Sequence, residues 1–219
     1  YRNLIKLTSS AYTEGFYYRP RIDDELLEQY HEDLICLTGS VSGDIPTLIL
    51  MNQQEQAEER ARWYRSLFGR ENFYFELNEH GIPEQATLNR ALIEMSRKLD
   101  VPLVAANEPY SVYQDNANAH DTLPCIGGSK KKSATSRFRF STSEFYLKSS
   151  DEMGRIFADH PEALANTVEI ARRCAFEMEL PGPMFPHYEI PPEFNDPDAY
   201  LRHLSNEGLR ERYAEVTEE

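Results

Sequence analysis

The sequence predicts an α/β fold in which parallel strands are connected by helical crossovers. Two short apolar runs, Phe73–Leu77 and Leu103–Ala106, enclose a segment whose apolar residues recur at helical spacing. The residues of this stripe are Leu88, Ala91, Leu92, Met95 and Leu99. Strand, helix and strand in this order form a βαβ unit, and its right-handed crossover makes the strands parallel. We expect both strands to end at the same edge of the sheet, where α/β folds place their binding and catalytic residues.

The amino-terminal third continues this alternation. We predict a first helix that closes at Gly15 in a left-handed cap conformation, and a short acidic helix over Asp23–Tyr30. The apolar run Leu34–Leu37 is predicted to be the first buried strand. Helices follow over residues 43–50 and 54–68, the first with a proline in its opening turn. The order strand, helix, strand, helix, strand favours a parallel sheet.

The carboxyl-terminal half loses this regularity after Pro109. Residues 127–132 are glycine-rich and polar, which indicates a loop. Ser149 and Glu152 have the spacing of a capping box and predict a helix start. A further helix begins at Pro161, and its predicted buried stripe is Leu164, Thr167, Val168 and Ala171.

A proline-rich segment follows near the carboxyl end. Six of the 13 prolines lie from Pro181 to Pro197, a density that excludes a helix and disfavours a central strand. The segment is therefore predicted to be a linker or a domain boundary. Asp196 and Pro197 then begin a final amphipathic helix, whose predicted inward residues are Tyr200, Leu201, Leu204 and Leu209.

Composition narrows the classes of function. The 219 residues are 40% apolar, enough for a substantial core, and 37 acidic against 23 basic residues give a formal charge of −14. Such a surface repels phosphate backbones and anionic lipids, which argues against a broad nucleic-acid-binding face or a membrane partner. The few, scattered cysteines indicate a reducing compartment, so we expect a cytoplasmic protein. A chain that begins with Tyr1 is expected to be a fragment.

Three loops follow the predicted strands and carry polar residues. They hold Ser40 and Asp44, then Asn78, Glu79 and His80, then Asn107 and Glu108. A metal-dependent phosphoesterase requires several histidine and carboxylate ligands at such a position. Of the six histidines, however, His80 alone falls on a strand-end loop. We therefore expect His80 to be a loop histidine bonded to backbone, and the pattern assigns no catalytic, cofactor-binding or metal-binding residue.

The three cysteines are poor candidates for a nucleophile. Cys36 lies in a predicted strand and Cys174 on an apolar helix stripe, so both are expected to be core residues with a raised thiol pKa. Cys125 lies beside a glycine pair and is the better candidate, although it too is expected mainly in the core.

One basic cluster stands out in this acidic chain. It consists of Lys130, Lys131, Lys132, Arg137 and Arg139. Such a cluster is either a solvated loop or a nucleic-acid-binding module that works through Lys130–Arg139.

Short motifs along nearly the whole chain carry a family resemblance. In order they are Tyr1–Leu4, Gly39–Pro46, Glu76–Gln85, Pro102–Asn107, Ala119–Asp121, Cys125–Gly127, Glu144–Ser149, Pro161–Thr167 and Glu207–Tyr213. Together they resemble the catalytic α subunits of bacterial DNA polymerase III, the C-family replicative polymerases. So many colinear motifs make the resemblance specific.

The resemblance implies a domain organisation and a parent activity. Residues 1–180 would be the carboxyl-terminal portion of the polymerase-and-histidinol-phosphatase (PHP) domain, as part of a distorted (β/α)7 barrel. Residues 181–196 would be a proline-rich boundary and residues 197–219 the first helix of the palm. The parent would synthesise DNA with Mg²⁺ beside other polymerase III subunits, with a proofreading exonuclease subunit as a candidate partner. DNA would be held by the parent rather than by this piece, which needs no cofactor of its own.

The same resemblance implies a changed metal cleft. Proofreading-competent members of the family carry a cysteine where this chain has Ser40, and Asn-Asp-x-His where it has Asn107–Tyr110. Serine and tyrosine are poor substitutes for a thiolate and an imidazole. The positions Ser40, Glu108 and Tyr110 therefore predict a degenerate cleft, kept for its shape in a structural scaffold without activity of its own. The alternative is a metal-dependent PHP phosphoesterase or 3′–5′ exonuclease that uses Glu108 and His80 with ligands outside the chain.

Overall fold

The structure is a computed structural model and describes residues 1–178, 180, 182 and 186–213. The chain divides into two units, Tyr1–Ala175 and Phe176–Glu219. The helices of the first unit are α1 (Arg2–Thr13), α2 (Asp24–Tyr30), α3 (Asp44–Leu50), α4 (Gln54–Phe68), α5 (Pro83–Leu99), α6 (Ala117–His120), α7 (Leu123–Gly127), α8 (Ser150–Ile156) and α9 (Pro161–Arg173). Its strands are β1 (Cys36–Leu37), β2 (Phe73–Asn78) and β3 (Leu103–Ala106).

The three strands form one parallel sheet in the order β1-β2-β3, which confirms the predicted α/β class and βαβ unit. Cys36 lies opposite Phe73, and Phe75 lies opposite Leu103. Strand β1 has two residues, not the four that were predicted. The reason is that the N–H of Leu34 donates to the carbonyl of His31 at 3.1 Å, which closes a turn instead of extending the ladder.

One face of β2 lies at the centre of the core. Phe73, Phe75 and Leu77 alternate along the strand, and each is at most 1% exposed. They pack in one cluster with the stripe of α5, which is buried as predicted except for the half-buried Ala91. Glu76 lies on the opposite face of the strand, so this face carries a carboxylate toward the carboxyl end of the sheet.

Helix boundaries follow local signals with one exception. Asp23 caps α2, the capping box Ser149–Glu152 begins α8 as predicted, and α3 and α4 cover their predicted ranges. The left-handed cap predicted at Gly15 is wrong, because α1 ends at Thr13 and Gly15 does not have a positive φ. A side chain at Gly15 is excluded by close approach of the backbone, since a Cβ there would lie 2.0 Å from the carbonyl oxygen of Arg21.

Helix α9 packs on β3 with a face that overlaps only part of the predicted stripe: Leu164 packs against the core and Thr167 is half-buried, but Ala171 is exposed. Ala163 is fully buried, whereas Val168 is 50% exposed. The side-chain amide of Asn166 donates to the carbonyl of Leu103 at 2.7 Å, and this contact to the strand fixes the rotation of the helix. Cys174, which was predicted in the core, lies just beyond the end of α9 and is exposed.

The second unit contains α10 (Pro197–Arg212), which begins at the predicted cap Asp196. Of its predicted inward residues, Tyr200 packs on Phe194 with 4.8 Å between ring centroids, while three leucines are exposed: Leu201, Leu204 and Leu209. The predicted ranges 181–196 and 197–219 fall partly outside the described residues, at 181, 183–185 and 214–219. Among the described helices of both units, none has the length and apolar character needed to cross a membrane.

Candidate functional site

The loops that follow the parallel strands meet at the carboxyl end of the sheet. They border a cleft of about 320 Å³ that is lined by Ser40 after β1, by Gln85 at the start of α5 and by Glu108 and Tyr110 after β3. Residues 138–141 and 145 line it as well. The three positions singled out by the family resemblance, Ser40, Glu108 and Tyr110, therefore share one cleft.

Two glycines shape the loop that carries Ser40. Gly39 has a φ of 72°, a left-handed conformation that disfavours other residues. The N–H of Gly43 donates to the carbonyl of Ser40 at 2.9 Å, and a Cβ at Gly43 would lie 2.2 Å from the carbonyl oxygen of Thr38. Glycine at both positions thus lets the loop turn back tightly at the end of β1.

The hydrogen bonds of His80 assign its tautomer. Gln85 accepts from the main-chain N–H of His80 through Oε1 at 2.8 Å, so its amide nitrogen faces Nδ1 of the ring at 3.0 Å. Asn107 donates through Nδ2 to the carbonyl of Tyr146, so its oxygen faces Nε2 of His80 at 3.2 Å. A lone pair on Nδ1 and a proton on Nε2 satisfy both of these side-chain contacts. The main-chain N–H of Glu108, which also points at Nε2 from 3.3 Å, then lacks this acceptor.

Burial favours the neutral form of His80. The side chain is fully buried, and this burial, with the charge of Lys148, lowers the pKa of His80. The predicted backbone bonding is only partly correct, since the ring bonds mainly to two amide side chains while the main-chain N–H of Glu108 lies 3.3 Å from Nε2. Both ring nitrogens are engaged, and the one available lone pair of the neutral ring, on Nδ1, accepts from Gln85 and is not presented to the cleft.

Segment 140–145 covers His80. The ring of Phe145 is parallel to that of His80, with 4.5 Å between centroids. The hydroxyl of Thr142 donates to the carbonyl of His80 at 2.7 Å. Tyr110 lies between Phe145, at 5.6 Å, and His120, at 5.2 Å between ring centroids. This aromatic lining was missed by the sequence analysis, although the spacing of Phe138 and Phe140 was a signal for it.

Two of the predicted loop residues do not join the cleft. Asp44 accepts from Arg60 Nε at 2.7 Å and from the hydroxyl of Tyr64 at 2.9 Å, which directs its carboxylate to α4. Glu79 accepts from the N–H of Gly81 at 2.9 Å and stabilises its own loop. Both acidic residues are therefore used in local structure.

Two carboxylates lie near the cleft. Burial raises the pKa of Glu76, the side-chain amide of Asn78 opposes this shift, and the charge of Glu108 adds to it. Asn78 donates to Glu76 at 2.8 Å through Nδ2. Its Oδ1 is buried and has no hydrogen-bond partner among the described residues.

The polar side chains at the cleft do not provide the ligand atoms that the metal centre of a phosphoesterase needs. Ser40 and Tyr110 offer hydroxyls where a thiolate and an imidazole would bind, and both nitrogens of His80 are engaged. Asn78 Oδ1 adds one uncharged oxygen, which is not sufficient for a pair of cations that share a phosphate. In the described ranges, no group of three or more His, Cys, Asp or Glu side chains is placed to hold a metal ion.

The cysteines are equally unsuited to catalysis. Burial raises the pKa of Cys36 to about 12, which agrees with the prediction. Cys125 is buried in α7, also as predicted, and its thiol donates to the carbonyl of Asp121 at 3.3 Å. The exposed Cys174 lies at the end of α9 and belongs to none of the strand-end loops.

The basic cluster is divided by its contacts. Arg137 forms two hydrogen bonds of 2.6 Å with the carboxylate of Asp121, and Lys132 donates to the side chain of Asn118 at 2.6 Å. Arg139 lines the cleft beside Glu108. Two members of the cluster therefore hold the loop in place, and they are not free to bind a ligand.

Comparisons with known proteins agree with the resemblance. Residues 1–80 match the family model of the PHP domain. DNA polymerase III subunit alpha of Treponema pallidum (strain Nichols) is 47% identical over 219 residues, which are 100% of this chain and 19% of that protein. The Borreliella burgdorferi subunit is 50% identical over 99% of this chain and 19% of its own length, and the Thermus aquaticus subunit is 38% identical over 100% and 18%. The chain spans about a fifth of the length of these relatives. Over its whole length the chain is therefore similar to a region of DNA polymerase III subunit alpha proteins, and its first 80 residues match the PHP domain.

Proposed function

We propose that this chain is the PHP portion of the catalytic α subunit of a bacterial replicative DNA polymerase, in which it acts as a structural scaffold. The similarity over the whole chain to DNA polymerase III subunit alpha supports DNA-directed DNA synthesis as the parent activity. Mg²⁺ as the cofactor of the parent and the cytoplasm as its location are part of the same proposal. The proposed divisions are residues 1–180 for the PHP domain, 181–196 for the boundary and 197–219 for the first palm helix. Other polymerase III subunits, among them a proofreading exonuclease, are the proposed partners.

The observation that carries the scaffold role is the bonding of His80. A ligand histidine presents a lone pair to its metal, whereas this ring accepts from Gln85 and donates to Asn107. The ring thereby joins the loops after β2 and β3, which are 27 residues apart along the chain. His80 and Asn107, which lie on strand-end loops where an active site would be, instead hold these loops together.

The test is a metal analysis of the intact, tag-free protein with and without Glu108→Ala. The scaffold function predicts less than stoichiometric zinc, manganese and iron in the wild type, and no change in metal content or DNA synthesis in the variant. Glu84→Ala, an exposed acidic residue in the first turn of α5, is the matched control. Stoichiometric metal that is absent from Glu108→Ala but kept in Glu84→Ala would establish the phosphoesterase alternative and remove the scaffold function.

A further inference from the structure

We propose that the basic-aromatic loop, residues 129–140, binds single-stranded nucleic acid together with Tyr110. The first observation is an uneven distribution of charge. Residues 122–143 contain five of the 23 basic residues and no acidic residue, whereas the rest of the chain carries all 37 acidic residues. The loop is thus a positively charged region that attracts phosphate, whereas the rest of the acidic chain repels it.

The hydrogen bonds within the loop determine which cations face solvent. The carbonyl of Lys132 accepts from Arg137 Nε at 3.1 Å and from Arg139 Nη2 at 3.3 Å, which closes the loop on itself. Lys130 and Lys131 lie at the exposed tip, and within the described part of the chain neither has an acidic partner. The guanidinium of Arg139 forms no direct ion pair there, although the hydrogen bonds from Arg137 and, to a smaller extent, the charge of Arg139 lower the pKa of Asp121. Three cations are therefore available to successive phosphates.

Beside these cations, aromatic rings continue from the core to the surface. The sequence of rings runs from buried His80 to Phe145 at 4.5 Å, then to Phe140 at 4.6 Å and to Phe138 at 4.8 Å between centroids. Phe138 is 65% exposed and Tyr110 is 51% exposed. Phe138 packs on the half-buried Phe140, which in turn packs on the buried Phe145. Unpaired bases stack on exposed rings supported in this way, beside cations that hold the backbone.

The arrangement favours a single strand over two other polyanions. In a duplex the faces of the bases are covered by their neighbours, so Phe138 and Tyr110 would gain no contact. An acidic peptide would find the same cations, but its carboxylates bring no flat base faces that could stack on Phe138 and Tyr110. The inference rests on these loop residues and goes beyond the scaffold function, which neither requires nor excludes it.

The experiment is ultraviolet cross-linking of a 12-residue oligothymidine to the intact protein, followed by digestion after glutamate and mass spectrometry. Because Pro109 follows Glu108 and protects that bond from cleavage, the informative peptide runs from the residue after Glu94 to Glu144. This peptide, residues 95–144, contains Tyr110 and the entire loop. We expect adducts at Tyr110 and within residues 129–140 when the peptide is sequenced. Because the readout is local, binding of DNA elsewhere on the intact protein does not affect it.

Variants separate the contribution of charge from that of the ring. Phe138→Ala is expected to reduce the adduct yield about tenfold, and Phe138→Tyr to retain it, because stacking requires a ring. Lys130→Ser/Lys131→Ser is expected to weaken binding and to lower the slope of log affinity against log salt by about 1.4, since each phosphate neutralised on a single strand contributes about 0.7 to that slope. Two controls, Arg90→Ser/Arg97→Ser on α5 and Tyr12→Ala on α1, alter exposed basic and aromatic residues elsewhere and should leave the yield unchanged.

Competition decides the class of ligand. Unlabelled oligothymidine should displace the adduct at lower concentration than a 12-base-pair duplex, polyphosphate or polyglutamate. Equal displacement by polyphosphate would reduce the loop to a general anion site, and stronger displacement by duplex or polyglutamate would assign it to those ligands; each result overturns the proposal. Absence of adducts at Tyr110 and in residues 129–140 overturns it too, and it does so without affecting the metal analysis that tests the scaffold function.

Discussion

At the residue scale, the chemistry of His80 is decided by the amides around its ring. The sequence predicted its place on a strand-end loop, because the apolar run of β2 and the start of α5 are local patterns. Its partners could not be predicted in the same way. Gln85 lies five residues away and Asn107 lies 27 away, and only the parallel pairing of β2 and β3 brings the second to the ring.

The neutral state of His80 leads to a prediction about pH. Since burial lowers the pKa of His80, the unfolded chain binds a proton that the folded chain does not, and the stabilisation from the neutral ring falls as pH drops below about 6.5. His80→Gln cannot titrate, and it should cost about 2 kcal/mol at pH 7.5 because the stacking is removed and the amides are left unpaired. The cost should shrink when urea unfolding is repeated at pH 5.5.

The control for this experiment is His203→Gln, which alters a half-exposed histidine of α10. It should change the free energy of unfolding little at either pH. The raised pKa of Glu76 acts in the opposite direction, but it is common to the wild type and the variant, so it largely cancels in their difference. A cost of His80→Gln that stays constant or grows toward pH 5.5 would contradict a neutral ring.

At the scale of elements, charged side chains fix relations that apolar periodicity leaves open. Periodicity predicted α4 correctly, but it did not show that Arg60 on its outer face joins two other helices. Arg60 donates to Asp24 at the start of α2 at 2.6 and 2.7 Å, and to Asp44 at the start of α3 at 2.7 Å. The guanidinium also lies 4.2 Å from the ring centre of Trp63. A pattern of Glu and Arg on a solvated helix face does not distinguish such a residue from its neighbours.

Replacement of Arg60 by lysine tests this role at unchanged charge. One ammonium cannot reproduce the fork that bonds both carboxylates, so we expect Arg60→Lys to lower the free energy of unfolding by about 1 kcal/mol. The cost is moderate because Asp24 and Asp44 are about half exposed, which screens the ion pairs. Arg62→Lys, on the same helix with a single contact of 3.8 Å, is the matched control. Equal effects of the two variants in urea unfolding would show that the bridge contributes nothing.

At the scale of the whole molecule, the part that sequence predicts best is the βαβα core. There each strand and helix has its own apolar pattern, and the parallel sheet follows from their order. Between Pro109 and Ser149 the chain folds through short helices, turns and aromatic contacts such as that of Tyr110 with His120. These depend on residues distant in sequence, which explains why the lining of the cleft was missed although its position at the strand ends was predicted.

The charge of −14 is also a property of the whole chain, and it leads to the last prediction. Folding concentrates like charges, so screening by salt should stabilise the 219-residue chain, and 0.5 M NaCl should raise its melting temperature. Glu55 and Glu59 on α4 add a repulsive pair at i, i+4 spacing. Glu59→Lys turns this repulsion into attraction and should stabilise the chain by about 0.5 kcal/mol. Glu59→Gln should give about half of that stabilisation. The rise in melting temperature caused by NaCl should be largest in the wild type, smaller in Glu59→Gln and smallest in Glu59→Lys. If salt instead lowers the melting temperature, attraction between the charged side chains outweighs repulsion, and ion pairs such as those of Arg60 and Arg137 govern the electrostatics of the fold.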